Sequence, residues 1–447
     1  MAILAGACSA QTTENGSTDS AASSTPQSAT ATNGPCDPDN GGITVPPGFC
    51  ASVFADNLGH ARHLTVAANG DVYVNTWMTD RNKTPNPAGG FVVALRDTNR
   101  DGRADQIERF GAIGVPGQNG GGTGIAIHND GLFVEVDDRI VRYQLTGPGL
   151  VPAIEPEPVL SGLPREGDHQ MHPFAIANDG TLFVNSGSMT NACQEKNRTL
   201  ESPGRRPCAE LATHAGVWRY DSDRRGQTFS ARERHATGMR NTVALDVHPL
   251  QNQLYAVVHG RDQLSENWPK LYTVPVNTEQ PAEVLVRVVE GKDYGWPMCY
   301  FDGARDAYVL SPEYGGDGGK AVGSCAAKER PLLAFPAHWA PEAIAFAETG
   351  PSADYSNGAF VAFHGSWNRE PAQSGFLVAF VAFTDGRPVG RYVEFATGFA
   401  GAQMPAKPEL AAHRPVGVAV GPDGALYVSD DVTGRIWRIA KAPAGSR

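Results

Sequence analysis

Asp168-His169-Gln170 stands directly ahead of the alternating apolar stretch 172–184. Imidazole is the side chain best suited to move a proton at neutral pH, and a carboxylate beside it can hold its tautomer and stabilise its charged form. Three more polar clusters stand in the same relation to an apolar stretch: Gly117-Gln118-Asn119-Gly120, Gly238-Met239-Arg240-Asn241 and His413-Arg414-Pro415. Together they offer a base (His169), a carboxylate (Asp168), amides (Gln118, Asn241) and guanidinium groups (Arg240, Arg414). Guanidinium planes bind carboxylates and carbonyls through paired hydrogen bonds, so converging arginines point to a planar, polyanionic ligand. The plainer reading of His169 is a turn histidine with Asp168 as a surface charge.

The elements that must position these residues are repeated hairpins. A short apolar alternation, a turn rich in Asn, Asp or Gly, and a second apolar run recur at 64–74, 124–134, 174–184, 243–257, 343–361 and 417–428. Each copy reads as a hairpin with one buried face. Asn-Asp-Gly at 129–131 and 178–180 and Pro-Asp-Gly at 422–424 supply the positive-φ positions of tight turns. No stretch sustains a helical period. A two-layer sandwich gives no reason for six similar hairpins. The pattern predicts an all-β fold, a six-bladed β-propeller with long inserts between strands. The four polar clusters then fall at strand starts, at one end of the central channel.

The net charge of the 447-residue chain is −11, with no long basic run, which argues against nucleic acid or an anionic membrane surface as partner. Residues 41–442 read as the propeller, the catalytic domain, and 9–40 as a disordered tether rich in Ser, Thr and Ala. Residues 1–8 resemble the end of a bacterial lipoprotein signal, with Cys8 lipidated, although the charged and long apolar parts are missing and Ala5 stands where Leu is usual. Membrane attachment would come only through Cys8; the alternative is an incidental thiol. The other six cysteines fall into near neighbours, Cys36 with Cys50, Cys193 with Cys208 and Cys299 with Cys325. That suits disulfides stapling inserts in an oxidising compartment, periplasmic or at the cell surface. No Cys-x-x-Cys, His-x-x-x-His or Cys-x-x-Cys-His spacing is present, so neither a Cys/His metal cluster nor a fused c-type haem is expected.

With these motifs in order, the chain resembles the soluble pyrroloquinoline-quinone (PQQ) dependent aldose dehydrogenases, and among them the sorbosone-dehydrogenase-like branch. The resemblance covers about residues 45–440 and rests on Gln118-Asn119-Gly120, Asp168-His169-Gln170, Arg240-Asn241 and Asp293-Tyr294-Gly295-Trp296-Pro297. It implies oxidation of an aldose or related sugar at the anomeric carbon, with His169 as general base near its ordinary pKa. Asp168 would hold the ring, Arg240 would stabilise charge on the quinone oxygen, and Gln118 would orient the sugar hydroxyl. Asn241 and Arg414 match cofactor-holding positions, and His338 aligns more loosely with another. The backbone carbonyls of Gly260 and Arg261 fall where the family holds Ca²⁺ with PQQ. The family's cofactor-binding Lys is absent after 359–363, where the chain reads His364-Gly-Ser-Trp-Asn-Arg369, and Val416 replaces a second Arg. His364 or Arg369 would supply the lost charge, and Trp367 would stack on the quinone. The external electron acceptor implied is a cytochrome c or the quinone pool.

A separate signal lies at Asp97-Thr-Asn99-Arg-Asp101-Gly-Arg103-Ala-Asp105-Gln-Ile-Glu108, which fits the EF-hand loop pattern. Five side chains and the Arg103 carbonyl would hold a second Ca²⁺ there, or the loop is an acidic turn held by its own Asx bonds. Rival functions are a Ca²⁺-dependent propeller lactonase or esterase, and a non-catalytic surface propeller that binds glycan or protein.

Overall fold

Apolar residues on both faces of short strands set this architecture. In the computed structural model, which describes residues 36–77, 86–111, 121–348 and 350–443, the main strands form six small antiparallel sheets. The inner strands are His60–Val66, Ile125–His128, Phe174–Ile176, Ala244–His248, Pro341–Ala347 and Pro415–Val420, and they open blades 1 to 6. Each pairs with the next strand in sequence, so the six repeated phrases are the six inner hairpins. The chain is a six-bladed β-propeller.

Two details depart from the sequence reading. The second strands are buried on both faces: Val72–Trp77 and Gly131–Val136 are covered along almost their whole length. A blade is sandwiched between two others, so alternation is lost where both faces meet a neighbour. The apolar core accordingly lies between blades. Ala343, Phe360 and Val378 of blade 5, for example, meet Val418, Leu426 and Trp437 of blade 6. In the turn at 129–131 it is Asn129 that takes positive φ (52°), not Gly131.

Closure of the ring was not among the repeated phrases. Phe49–Ala55 pairs with Ile436–Lys441, so blade 6 takes its outer strand from the start of the described chain. Buried polar side chains also tie blade to blade. Glu135 accepts from the backbone N–H groups of Thr123, Gly124 and His172 at 2.7–2.9 Å, linking blade 2 to blade 3. Ser429 donates to the Arg62 carbonyl at 2.6 Å, linking blade 6 to blade 1.

All three expected disulfides are formed, Cys36–Cys50, Cys193–Cys208 and Cys299–Cys325. The last two lie in inserts of blades 3 and 4 that pack on each other. Trp296 Nε1 donates to the Asn191 carbonyl at 3.0 Å, and Gly204 N to the Glu313 carbonyl at 3.0 Å. The phrase Asp293–Pro297 therefore serves as a brace for the insert that carries Asn191.

Candidate active site

His169 sits on the loop entering blade 3, and its Nδ1 lies 2.8 Å from the Ser188 carbonyl oxygen and 3.0 Å from Ser188 Oγ. A carbonyl can only accept, so Nδ1 carries the proton and Nε2, without a partner among the described residues, keeps the lone pair. Burial, with the charge of Arg240 second, pushes this imidazole down to about 3. The ring is therefore neutral at pH 7, and its pKa lies well below the ordinary value expected from sequence. The field of Asp262 works the other way and favours the charge that appears when the ring takes a proton.

Asp168 does not hold this ring. Its carboxylate accepts from Arg198 Nε at 2.9 Å and from Asn197 Nδ2 at 3.2 Å. Burial pushes its carboxyl up, but Asn197 and Arg198 outweigh that and hold it low. The orienting role expected of Asp168 belongs to Ser188, because consecutive residues in an extended loop point apart. Gly187 makes the approach possible: a Cβ there would lie 2.5 Å from His169 Cβ and 3.1 Å from Asn241 Oδ1.

Arg240 is almost fully buried and each of its guanidinium nitrogens is engaged. Nε donates to the Asn191 carbonyl (3.1 Å) and NH1 to the Gly260 carbonyl (2.9 Å). NH2 donates to Asn191 Oδ1 (3.0 Å) and Asp262 Oδ2 (2.7 Å). Asp262 pairs in turn with Arg198 at 3.2 Å, which returns to Asp168. Asp168, Arg198, Asp262 and Arg240 thus form one chain of alternating charge beside His169. Such pairs fix geometry, since breaking one strands a buried charge.

A second chain comes from elements far apart in sequence. Arg62, on the inner strand of blade 1, bridges Glu342 of blade 5 (2.9 Å) and Asp431 of blade 6 (2.8 Å) and lies 4.2 Å over the Trp77 ring. Asp431 also accepts from His364 Nε2 at 2.9 Å. Burial pushes Asp431 up, but His364 and Arg62 hold it down at about 2. Burial pushes His259 down; its contact with Glu342 and the charge of Glu283 reverse the sign and raise it. Sequence reading missed Arg62, Arg198, Asp262, Glu342 and Asp431. Glu342 is the single charge in the strand Pro341–Ala347, and Asp431 directly follows the strand Leu426–Asp430.

The remaining expected residues divide by what they touch. Arg414 Nε and NH2 donate to the carbonyls of His364 and Gly365, both at 3.0 Å. Asn241 is buried and its side-chain amide has no partner among the described residues. His338 Nε2 faces the carbonyls of Asn277 (2.8 Å) and Gln280 (3.0 Å). Arg369 does not supply the charge of the missing Lys. It donates to the Thr278 and Ala337 carbonyls and pairs with Glu279 at 2.6 Å, so it anchors its loop to the helix Val274–Glu279. Trp367 is half exposed at the rim with Arg198 5.8 Å over its ring, outside the buried charges. Gln118 lies outside the described residues.

Gly260 offers its carbonyl to Arg240, and the Arg261 side chain turns away to Glu313 at 2.5 Å. In the loop 97–108, Asp97 accepts from the N–H groups of Asp101 and Gly102, Asp101 from that of Arg103, and Asp105 from those of Thr98 and Asn99. No three of the carboxylates of Asp97, Asp101, Asp105 and Glu108 come within 4.8 Å of one another. The loop carries its own Asx bonds, with Glu108 on the strand Gln106–Phe110.

The family model described as TrAA12-like matches residues 43–442. A PQQ-dependent pyranose dehydrogenase of Coprinopsis cinerea is 27% identical over 239 residues, 46% of this chain and 31% of that protein. An uncharacterized protein of Borreliella burgdorferi is 27% identical over 208 residues, 46% of this chain and 48% of that protein. The matches thus span less than half the length of these curated relatives. Among solved structures, the holo PQQ domain of the C. cinerea pyranose dehydrogenase superposes with TM-score 0.68 at 19% identity, covering 89% of this chain and 97% of that one. The calcium structure of a Trichoderma reesei family AA12 enzyme gives 0.69 at 18%, covering 90% and 97%. The PQQ-bound aldose sugar dehydrogenase of Streptomyces coelicolor gives 0.54 at 18%, covering 89% and 99%. These likenesses establish the fold; the family match over residues 43–442 establishes the membership, and the chain belongs to the TrAA12-like family.

Proposed function

We propose that the chain is a PQQ-dependent dehydrogenase that oxidises an aldose or related pyranose at its anomeric carbon, with His169 as general base. The observation that carries this reading is the neutral His169, with Nδ1 committed to Ser188 and Nε2 open, set beside the buried Arg240. The names of the C. cinerea and S. coelicolor relatives support it.

The residues present fit a planar polyanion. Arg62 Nε is buried without an acceptor, and the Asn241 amide is unpartnered among the described residues. Arg62, Arg414 and Asn241 would hold the carboxylates, with Arg62 in place of the missing Lys. A Ca²⁺ at the Gly260 and Arg261 carbonyls would offset the carboxylates and would share the Gly260 oxygen with Arg240. When bound, PQQ would supply the two-electron acceptor. His169 Nε2 takes the proton from the anomeric hydroxyl. Asp262 stabilises the imidazolium so formed, and Arg240 stabilises negative charge at the site's centre. The electrons would pass on to a cytochrome c or quinone. The disulfides suit an extracellular or periplasmic setting. Attachment through Cys8, which lies outside the described residues, belongs to the same proposal, as do the tether and domain limits at 9–40 and 41–442.

The test is a sugar panel with an artificial acceptor on protein loaded with PQQ and Ca²⁺. His169→Ala should lose about 10²–10⁴ in kcat while still binding PQQ. Undiminished turnover by the variant would remove His169 from the chemistry.

A further inference from the structure

Trp367 differs from the chain's buried tryptophans. Trp218, Trp437, Trp296 and Trp339 are at most 7% exposed, whereas Trp367 is 48% exposed. A stiff loop holds it there. Ser366 N donates to the Ser374 carbonyl and Ser366 Oγ to Gln373, Asn368 accepts from Asn277, and Arg369 anchors on Thr278 and Ala337. The indole is therefore displayed by a fixed backbone, although burying so large an apolar ring would be favourable.

The Arg198 guanidinium lies 5.8 Å over one face of the ring. Arg198 is itself fixed by Asp168, the neighbour of His169, and by Asp262, the partner of Arg240. The ring thus stands on the outer end of the chain of charge that runs from Arg198 through Asp262 to Arg240. Leu200, two residues from Arg198, is also exposed, and the Lys270–Glu201 pair at 2.8 Å ties its segment to the one carrying exposed Leu271. An aromatic face bordered by fixed hydrogen-bonding groups matches a pyranose, whose C–H face is apolar and whose edge is hydroxyl.

We propose that Trp367 and Arg198 form a second sugar subsite at the mouth. It takes the pyranose unit next to the one oxidised, so the substrate is the reducing end of a neutral oligosaccharide. The identity of the oxidised unit rests on the dehydrogenase reading above; the platform itself does not.

The test needs no cofactor. Binding of cellotriose, maltotriose, mannotriose and chitotriose, each against its monosaccharide, would be followed by tryptophan fluorescence and affinity electrophoresis. At least one trisaccharide should bind about tenfold more tightly than its monomer, Trp367→Ala should lose about tenfold, and Trp367→Phe should keep most of the affinity. Trisaccharides that bind no better than monomers, or a Trp367→Ala variant that binds like the parent, would overturn the subsite. PQQ titration of the same samples separates the two claims. Trisaccharide binding without PQQ binding supports the platform and removes the dehydrogenase; PQQ binding without trisaccharide preference does the reverse.

Discussion

The behaviour of His169 is decided by one hydrogen bond and one glycine. The Ser188 carbonyl fixes the tautomer, and burial next to Arg240 keeps the ring neutral. Because the unfolded ring takes a proton below its ordinary value of about 6.5 and the folded ring only near 3, His169 removes stability as pH falls through that window. Urea midpoints at pH 7.5 and 5 should show it: the drop on acidification should be smaller in His169→Asn than in the parent. Equal drops would contradict a neutral ring. Gly187→Ala should leave the fold intact but push His169 aside, lowering kcat about 10- to 100-fold with PQQ binding retained; full activity would show that the ring tolerates displacement. The place of His169 before a repeated hairpin was legible in the sequence. Its true partner was not, since Ser188 lies 19 residues away and becomes a neighbour only when the blade folds.

At the scale of elements, the inserts of blades 3 and 4 do the positioning. Asn191, buried beneath the Cys193–Cys208 loop, receives Arg240, Asp262 and Trp296. Cys193→Ser with Cys208→Ser should cost about 3 kcal/mol, the entropy scale for a cross-link spanning 15 residues. Arg240 should lose its alignment at the same time, so kcat should fall as well as the denaturation midpoint. A stability loss with unchanged kcat would separate the staple from the site. The pairing of all three disulfides could be read from proximity in sequence, because each closes a short loop on one blade. The charge chains could not: Arg62, Glu342 and Asp431 come from three blades and meet only because the ring closes. In the loop 97–108 the acidic side chains accept from N–H groups of their own turn.

Across the whole molecule, repetition made the fold legible. Six hairpins announced six blades. Closure escaped notice because Phe49–Ala55 belongs to no repeated phrase and finds its partner, Ile436–Lys441, at the far end of the chain. That closure brings blade 1 to blade 6 and so assembles Arg62 with Asp431, and Arg62 is the cation proposed in place of the missing Lys. The central claim is therefore that the closed ring still holds PQQ. It is tested most directly by titrating metal-stripped protein with PQQ in excess Ca²⁺ and following the cofactor's absorbance. Tight, Ca²⁺-dependent, one-to-one binding that weakens at least tenfold in Arg62→Met is the result predicted. No binding would contradict the account and return the lactonase and glycan-binding readings to the front.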